Sequence, residues 1–426
     1  MSSYDVLIVG GGFGGALGAR RLEQRLARSG RRALLVAPAN FMLFSPLLAE
    51  AAAGTIEPRH CVIPLRELLR NTEVQVGHVV SLDPHRKQAV VEDLNGERHE
   101  VEFEAALLAP GSVPSIAPVP GLTENAVGFK TLADAIWLRN RVLHQLDAAA
   151  ATEDPDRRRA LLTFTFVGGG YAGVEALAEL ESLARDAARG YPRLPPDDFR
   201  WVLVEAQDSL LPGLDPRLAR FSERHLHRRK VEVYLDTRLA DSTDHTVRLD
   251  PARVGPYRSD TIVWTAGQRP APLAAGWDLP TNDRGFVPVD DRMQVSGFDG
   301  VFAVGDFAAV PDPEGGTSPN TAQHALRQGR IAADNIAAYF GIGEPTRYRY
   351  RNRGLAVTLG KNQGTAQVRR VTFTGPLAWW MGRSYHLLMM PGLGRKARVV
   401  SDWTISTLFP RDVAQLGQLG SPEPLA

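Results

Sequence analysis

FTFVGGGYAGVE, residues 164–175, is an apolar strand sequence that runs directly into a glycine turn and then into a helix. The chain has the same arrangement near its start, in VLIVGGGFGG at 6–15. Strand, turn and helix in this order predict a nucleotide-binding βαβ unit, and two copies predict two such units. Both turns have the spacing G-x-G-x-x-G, formed by Gly10, Gly12 and Gly15 in the first and by Gly168, Gly170 and Gly173 in the second.

Each glycine of this fingerprint has its own physical role. The first permits a tight turn, the second lets the backbone approach a pyrophosphate, and the third lets the helix pack on the strand. The unpaired N–H groups and the positive dipole end of the helix then bind the phosphates. A single match can also be a glycine turn without a ligand. Two matches predict two dinucleotides, with further contacts from Phe13, Gly14, Tyr171 and Ala172.

Acidic residues accompany the second fingerprint. Glu175 lies two residues after Gly173, in the opening turns of the helix, and Glu205 ends the next predicted strand, 201–205. A carboxylate at that strand end accepts hydrogen bonds from a ribose and repels a 2′-phosphate, which favours NADH over NADPH. The alternative is an exposed acid at the end of a strand. The segment 185–200 reads as an inserted loop between helix and strand.

The first fingerprint lacks this acid. Its predicted strands are 4–9 and 33–36, and the second of these ends in Ala37 and Pro38. The adenosine of the first ligand is therefore expected to be held by backbone groups or by Asn40.

Other apolar segments end in glycine or turn residues. We expect VFAVGD at 301–306 to place the carboxylate of Asp306 near the ribityl chain or phosphates of a flavin. The N-terminus of a helix starting at 319 would stabilise the negative charge of reduced flavin. AALLAPG and TIVWTAG predict buried strands that end at Gly111 and Gly267. The segments 74–82, 88–94 and 98–103 predict a small antiparallel insertion. A long helix is predicted at 132–150.

Composition indicates a soluble globular chain of 426 residues with a net charge of +1 and room for two or three domains. No signal peptide or membrane span is predicted, and a cytosolic setting is consistent with the sequence.

Cys61 is the only cysteine, so a redox-active disulfide within the chain is excluded, and a role as a small core residue is expected. No metal site is predicted.

The C-terminal region is basic and rich in tryptophan. Residues 343–426 contain twelve Lys/Arg and four Asp/Glu, a balance of +8. The apolar segment 376–391 is too short to span a bilayer and is followed by the basic residues 394–398, which suits insertion into one leaflet beside anionic head groups. Alternatively the segment covers the core or forms a homodimer contact. No nucleic-acid-binding module is recognisable.

Taken together, these segments resemble the type II NADH dehydrogenases, the single-chain, membrane-peripheral NADH:quinone oxidoreductases among the flavoproteins with two dinucleotide-binding domains. The resemblance covers most of the chain. It rests on VLIVGGGFGG, LFSPLL, ALLAPGSVPS, FTFVGGGYAGVEAL, VLVEAQDSLLPGLDP, TIVWTAGQ, FVPVDDRMQV, VFAVGDFA and TAQHALRQGRIAADNI.

The resemblance implies that hydride passes from NADH to FAD and that electrons then pass to a membrane quinone without proton pumping. It implies that Glu175 lies by the nicotinamide and that Ala322 and Gln323 lie by the flavin ring and the quinone. The implied FAD contacts are the first fingerprint, Pro46, Gly111, Gly305 and Asp306, and the implied NADH contacts are the second fingerprint, Glu205, Ala266 and Gly267.

The chain also departs from the family pattern. Arg327 stands where the family has the second glutamine of its quinone motif, and it could donate to a quinone carbonyl or stabilise an anionic acceptor. Ser45 and Pro110 replace other common family residues. His324 follows Gln323 and is interpreted as a surface or packing residue. The apolar segment 41–48 is either a lid near a ligand or plain core.

The expected architecture is an α/β fold of the glutathione-reductase type with two Rossmann-like domains and a membrane-associating C-terminal segment. The function alternatives are a soluble NAD(P)H:acceptor reductase and, less favoured, a degenerate nucleotide-binding sensor. We expect a peripheral position on the cytoplasmic face of the cell membrane, with membrane contact through 376–411 and a possible homodimer. The predicted domains are 1–117 with 285–342 for FAD, including the insertion 74–104, then 118–284 for NADH and 343–426 for the membrane.

Overall fold

The computed structural model describes residues 2–195, 198–350 and 354–415, which form two compact units. Each unit contains one of the two glycine fingerprints. Unit 1 consists of the described parts of Met1–Phe44, Val62–Val113 and Gln268–Arg351, and unit 2 of the described parts of Ser45–Cys61, Pro114–Gly267 and Asn352–Ala426.

The core of unit 1 is a parallel sheet around the strand Ser2–Val9. This strand pairs with Ala33–Ala37 on one side and with Arg98–Leu108 on the other. Val301–Ala303 pairs with the far edge of Arg98–Leu108, and Thr72–Asp83 with the far edge of Ala33–Ala37. Strands of a parallel sheet are covered on both faces, which explains why Ala33–Ala37 is buried at all its positions.

The predicted insertion at 74–104 is continuous with this sheet. Thr72–Asp83 is parallel to Ala33–Ala37 at its start and then turns antiparallel to Gln88–Asp93, which pairs with the first half of Arg98–Leu108. Arg98–Leu108 alternates between buried and more exposed residues at first and is buried at its last four positions. One strand thus passes from a half-exposed antiparallel ribbon into a sheet that is covered on both faces. Because its burial pattern changes along its length, the sequence predicts two separate strands here, one at 98–103 and one within 105–111.

Two helices of unit 1, Phe13–Leu26 and Ala322–Tyr339, pack side by side at short range. A Cβ atom on Gly329 would lie 2.2 Å from the carbonyl oxygen of Gly14, and one on Gly18 would lie 3.0 Å from the carbonyl oxygen of Gly329. A Cβ on Gly14 would also lie 3.7 Å from the carbonyl oxygen of Ala325, and further along both helices Arg21 pairs with Asp334, so the helices are parallel. Their N-termini therefore lie at the same end of unit 1.

The remaining elements of unit 1 are short. They are the strands Phe41–Leu43, Val62–Pro64, Gln268–Pro270, Val287–Pro288 and Ala308–Ala309 and the helices or helical turns Leu65–Leu68, Ala275–Trp277 and Gly305–Phe307. The strand Ser112–Pro114 begins in unit 1, and its last residue belongs to unit 2.

Unit 2 is built on a second parallel sheet, in which Thr163–Val167 lies between Arg200–Val204 and Thr261–Trp264. Val231–Tyr234 and Ala126–Gly128 form its edges. Around this sheet lie the helices Leu48–Ala52, Leu122–Asn125, Leu132–Ala151, Pro155–Leu161, Tyr171–Ala187 and Pro216–Arg228 and the antiparallel strands Arg238–Asp241, Thr246–Asp250 and Tyr257–Arg258.

The C-terminal region packs as part of unit 2. It contains the helices Gly375–Met389 and Leu393–Leu408 after an antiparallel sheet of Gly354–Thr358, Gly364–Val368 and Val371–Thr374. No helix in the described part of the chain has both the length and the apolar content to cross a membrane.

The grouping differs from the predicted boundaries in five places. Residues 268–284 and the described part of 343–351 belong with unit 1, whereas 45–61, 114–117 and the described part of 352–426 belong with unit 2. The reason is long-range packing, since the helix Leu48–Ala52 packs against helices of unit 2 far along the chain.

Candidate functional site

The first glycine turn has the shape that a pyrophosphate requires. Gly10 has φ +104°, and a Cβ there would lie 2.1 Å from the carbonyl oxygen of Ala109. A Cβ on Gly15 would lie 1.9 Å from the carbonyl oxygen of Gly10, so both positions are closed to side chains. A Cβ on Gly12 would meet nothing within 4 Å, which leaves the face over the helix N-terminus open. Phe13 packs against Phe44 with ring centroids 5.5 Å apart.

The second turn reproduces this geometry. Gly168 has φ +115°, and a Cβ on Gly173 would lie 2.0 Å from the carbonyl oxygen of Gly168. A Cβ on Gly170 again meets nothing within 4 Å. The hydroxyl of Tyr171 donates to the carbonyl oxygen of Pro212 (3.1 Å), and Ala172 is exposed beside it. Both turns therefore fit a dinucleotide phosphate over an open helix N-terminus.

Glu205 lies against the second turn, directly after the strand Arg200–Val204. Its Oε2 accepts the N–H of Gly169 at 2.5 Å, and its Oε1 accepts the N–H of Gln207 at 2.8 Å. These bonds fix the carboxylate beside the glycine loop, where the sequence predicted a ribose contact. The predicted position of Glu205 at the end of a strand matches the structure.

Glu175 lies in the second turn of the helix Tyr171–Ala187. Its Oε1 accepts the backbone N–H of Thr358 at 2.9 Å, a residue 183 positions further along the chain. Burial raises the pKa of Glu175 to about 8, and the negative charges of Glu50 and Glu179 act in the same direction, whereas the Thr358 bond lowers the pKa. Near neutral pH this carboxyl is therefore mostly protonated and can donate or accept a hydrogen bond.

The Gly305–Asp306 turn lies at the edge of the unit 1 sheet. The strand predicted at 301–306 ends at Ala303, and Gly305–Phe307 forms a helical turn instead. Gln328 accepts the N–H of Gly305 at 2.9 Å and so ties this turn to the helix Ala322–Tyr339. The hydroxyl of Ser112 donates to Oδ2 of Asp306 at 2.8 Å. Local sequence pattern assigns no role to Ser112 or Gln328, because each acts through a residue that is distant along the chain.

Gln323 and Arg327 lie one turn apart on the same helix, and Tyr350 joins them. The Tyr350 hydroxyl donates to Oε1 of Gln323 at 2.8 Å, and the guanidinium carbon of Arg327 lies 3.9 Å from the centre of the Tyr350 ring. Arg327 also donates to the backbone carbonyl of Gln323 at 2.7 Å. The cation that replaces the family's glutamine is thus held against its own helix and an aromatic face.

His324 is a packing residue, in agreement with one of its two interpretations. It is buried, and its Nδ1 lies 2.8 Å from the hydroxyl of Tyr348. Burial lowers the pKa of His324, and Arg327 lowers it further, whereas Asp312 raises it. The imidazole is therefore neutral at physiological pH. Ala322 begins the helix after Thr321, whose hydroxyl accepts the N–H of His324 at 3.4 Å.

The remaining predicted contacts fall in both units. Gly111, with φ +81°, belongs to unit 1 and has open space where a Cβ would lie. Ala266 and Gly267 follow the strand Thr261–Trp264 in unit 2, next to the second glycine turn. Pro46 also lies in unit 2, in the helical turn Ser45–Leu47.

A buried ion pair that the sequence analysis missed links the helix Leu48–Ala52 to the C-terminal helices. Oε2 of Glu50 accepts from Arg383 at 2.7 Å and from the indole N–H of Trp403 at 2.7 Å. Arg383 also lies over the ring of Trp379, at 3.7 Å from its centre. Within the apolar segment 41–48, Met42, Phe44, Leu47 and Leu48 are buried. Cys61 is buried as expected, and burial raises the pKa of its thiol to about 12.

Known proteins resemble this chain over most of its length. Residues 4–329 match the pyridine nucleotide-disulphide oxidoreductase family. The chain is 31% identical to type II NADH:quinone oxidoreductase Ndh of Mycobacterium tuberculosis, over 96% of this chain and 89% of that protein. It is 29% identical to the demethylphylloquinone reductase NdbB of Synechocystis, over 93% and 97% of the two chains.

Solved structures show the same fold. NDH2 of Plasmodium falciparum in complex with NADH matches with a TM-score of 0.88 at 15% identity, over 96% of this chain and 99% of that one. A reduced CoADR-RHD of Bacillus anthracis matches with a TM-score of 0.69 at 21% identity, over 87% and 62%. With a single cysteine, this chain cannot form the disulfide within one chain that the family description names.

Proposed function

Since the chain belongs to the type II NADH:quinone oxidoreductases, within the pyridine nucleotide-disulphide oxidoreductase family, we propose that the residues described above perform its reaction. The reaction is the transfer of electrons from NADH through FAD to quinone, without proton pumping. The observation that carries the assignment is the pair of matching glycine turns, each open over a helix N-terminus. FAD is assigned to the turn of unit 1 and NADH to the turn of unit 2.

Bound FAD supplies the redox chemistry, and the protein supplies binding, orientation and electrostatics. In unit 1 the helix Phe13–Leu26 directs its free N–H groups at the pyrophosphate. The N-terminus of Ala322–Tyr339 lies at the same end of the unit, and its dipole favours negative charge on a flavin there. Asp306, whose Oδ2 accepts from Ser112, would accept from hydroxyl groups of the ribityl chain.

In unit 2, Glu205 binds the ribose of NADH, and Glu175 contacts the nicotinamide. The carboxylate of Glu205 retains acceptor capacity beyond its two backbone bonds and repels a 2′-phosphate. Glu175 is mostly protonated near pH 7 and so presents no full negative charge to the nicotinamide. Ala266 and Gly267 approach the same ligand through the backbone.

The acceptor contacts are assigned to Gln323 and Arg327. Tyr350 fixes the amide of Gln323 by a 2.8 Å hydrogen bond and lies against Arg327. A guanidinium in this position favours an acceptor that gains negative charge as it is reduced. Quinones are acceptors of this kind.

The enzyme is proposed to work on a membrane surface. The helices Gly375–Met389 and Leu393–Leu408 expose large apolar side chains, with Trp380 61% and Leu393 84% exposed. The exposed set on and just after the two helices is Leu377, Trp380, Leu388, Leu393, Val400, Ile405, Leu408 and Phe409. Arg398 is exposed among them, and the basic balance of the region fits anionic head groups.

The predicted membrane segment 376–411 needs one correction. Trp379 and Trp403 are 7% and 8% exposed, and the Arg411 side chain is buried against Glu179. These three residues hold the C-terminal region on unit 2 and do not face a membrane. A helix presents only part of its surface to any one partner, so the membrane contact is assigned to the exposed set alone.

The proposed location is peripheral, on the cytoplasmic face of the membrane, where NADH is available. Contact between two copies through the exposed set is the alternative use of this surface. The assignment as a whole is tested by stopped-flow absorbance of the FAD-loaded enzyme. NADH should bleach the flavin, and a menaquinone or ubiquinone analogue should restore its colour faster than dioxygen does. Reoxidation by quinones no faster than by dioxygen would contradict the acceptor assignment.

A further inference from the structure

The two glycine turns can be compared residue by residue, because each is complete within its own unit. The N–H of Gly10 donates to the carbonyl oxygen of Val36 at 2.8 Å, and the N–H of Gly168 donates to that of Val204 at 2.8 Å. Gly11 and Gly169, the central glycines of the two GGG triplets, also have matching surroundings. Ala37 therefore occupies in unit 1 the position that Glu205 occupies in unit 2.

At the second turn, a Cβ on Gly169 would lie 3.1 Å from Cβ of Glu205, and a leucine methyl of Leu210 would lie 2.5 Å away. Glu205 turns its carboxylate back onto the loop and accepts the N–H of Gly169. Gly169, the strand-end residue Glu205 and Leu210 thus pack together, and Glu205 places a carboxylate at this position.

At the first turn, a Cβ on Gly11 would lie 2.9 Å from Cβ of Ala37, and a methyl of Leu65 would lie 3.1 Å away. Ala37 and Leu65 are 2% and 0% exposed. The backbone carbonyl of the neighbouring Asn40 already accepts the N–H of Leu65 at 2.9 Å. The equivalent contacts at the first turn are therefore apolar, since Gly11 packs against Leu65 and against the methyl group of Ala37 where the second turn has Glu205.

Resting on the assignment of FAD to the turn of unit 1, we propose that Ala37 lowers the affinity of this chain for FAD by leaving the adenosine ribose without the carboxylate acceptor that Glu205 provides in unit 2. FAD is then held mainly through its pyrophosphate and flavin portions, and its adenosine ribose has at most neutral partners, such as the exposed side chain of Asn40. Hydrogen bonds to charged groups are the stronger class, so the missing carboxylate corresponds to a loss of about tenfold or more in FAD affinity.

The first test uses the unmodified protein, so it does not depend on the folding of a variant. The dissociation constants of the apoprotein for FAD and for FAD with a 2′-deoxyadenosine ribose are measured by quenching of flavin fluorescence. The two constants should agree within about threefold. A larger loss with the deoxy analogue would show that another group binds the hydroxyl and would overturn the proposal.

The second test restores the acid. Ala37→Glu should lower the dissociation constant for FAD about tenfold and slow FAD release, with a much smaller gain for the deoxy analogue. Ala37→Gln is the matched control of equal size without charge, and it should gain less than Ala37→Glu. If Ala37→Glu has the circular dichroism and melting temperature of the parent but no gain in FAD affinity, the proposal is wrong.

These measurements need neither NADH nor quinone. They therefore separate a failure of this proposal from a failure of the acceptor assignment, which only the reoxidation experiment tests. Glu205→Ala serves as the reciprocal control, because removal of the acid from unit 2 should leave FAD affinity unchanged.

Discussion

The carboxylate of Glu175 accepts the backbone N–H of Thr358 at 2.9 Å, although 183 positions separate the two residues in sequence. This bond ties the helix of the second fingerprint to the first strand of the C-terminal sheet. A residue that the sequence analysis assigned to the nicotinamide therefore also has a structural role. A test of Glu175 has to separate the effect of its titratable carboxyl group from the effect of its hydrogen bond to Thr358.

Glu175→Gln removes the titratable carboxyl group and keeps an oxygen that can accept from Thr358. We expect it to weaken NADH binding or to slow flavin reduction, with FAD content close to that of the parent, because the residue lies in unit 2. Stopped-flow reduction at several NADH concentrations and the flavin absorbance per protein measure the two effects. Glu175→Ala also removes the hydrogen bond and should be less stable than Glu175→Gln by about 1 kcal/mol. Loss of FAD in Glu175→Gln would mean that the two units are assigned to the wrong ligands.

The raised pKa of Glu175 predicts a specific pH dependence of stability. The pKa is about 8 in the folded chain against an ordinary 4.5, so the folded state binds more protons than the unfolded state between these values. The free energy of unfolding should therefore fall as the pH rises from about 4.5 to 8, by at most about 1.4 kcal/mol per pH unit from this group. Urea unfolding at pH 5.5, 7.0 and 8.0 should show a smaller decline for Glu175→Gln. Equal slopes in parent and variant would contradict the raised pKa.

Glu205→Ala should relax the preference for NADH over NADPH. The variant loses the acceptor for the ribose hydroxyls and the negative charge that repels a 2′-phosphate. We expect kcat/KM for NADH to fall about tenfold or more and the NADH/NADPH ratio to approach one. Steady-state kinetics with both nucleotides measures the ratio, and Glu205→Gln is the control of equal size. An unchanged ratio would remove Glu205 from the ribose site.

Tyr350→Phe tests the acceptor contacts. The variant loses the hydroxyl that donates to Gln323 at 2.8 Å and keeps the ring beneath Arg327. We expect the KM for quinone to rise about fivefold, which is the effect of a hydrogen bond worth about 1 kcal/mol, with flavin reduction by NADH unchanged. Tyr350→Leu, which also removes the aromatic face, should have the larger effect. A change in the NADH half-reaction alone would place Tyr350 outside the acceptor site.

The buried pair of Glu50 and Arg383 should be sensitive to the loss of either partner. Both side chains are almost fully buried, and burial raises the pKa of Glu50 and lowers that of Arg383. Arg383→Met should lower the free energy of unfolding by about 3 kcal/mol, because it leaves Glu50 without its cation. The double variant Glu50→Leu with Arg383→Met should recover much of this loss. A double variant as unstable as the sum of the single changes would indicate that the pair acts through other contacts.

Local pattern was sufficient to predict both glycine turns and the position of Glu205. These features depend on residues close in sequence, and the fingerprint dictates its own backbone. The same reasoning gave two dinucleotide-binding units and, through family resemblance, the reaction.

Contacts between residues that are far apart in the sequence could not be predicted from local sequence pattern. Glu50 pairs with Arg383, which lies 333 positions further along the chain. Tyr350, whose hydroxyl donates to Gln323, lies in a segment without helical or strand periodicity. Trp379 and Trp403 read as membrane residues because composition does not distinguish the inner face of a helix from its outer face when both are apolar. Only the packing of the C-terminal helices on unit 2 made that distinction.

Membrane binding should depend on the exposed set and not on the buried residues Trp379 and Trp403. Trp380 and Leu388 lie on the exposed face of Gly375–Met389, so Trp380→Ser with Leu388→Ser should preserve the fold. Flotation with vesicles of phosphatidylcholine and phosphatidylglycerol should show binding by the parent that weakens with salt and binding by the double variant that is several-fold weaker.

Val368→Ser with Val371→Ser is a matched control, because these residues are also exposed but lie on the antiparallel sheet outside the two helices. This control should bind vesicles like the parent. Light scattering of the parent without lipid tests the alternative that the exposed set joins two copies. If the parent forms a dimer that Trp380→Ser with Leu388→Ser dissociates, and if the parent does not bind lipid, then the exposed set contacts a second copy of the chain and not a membrane.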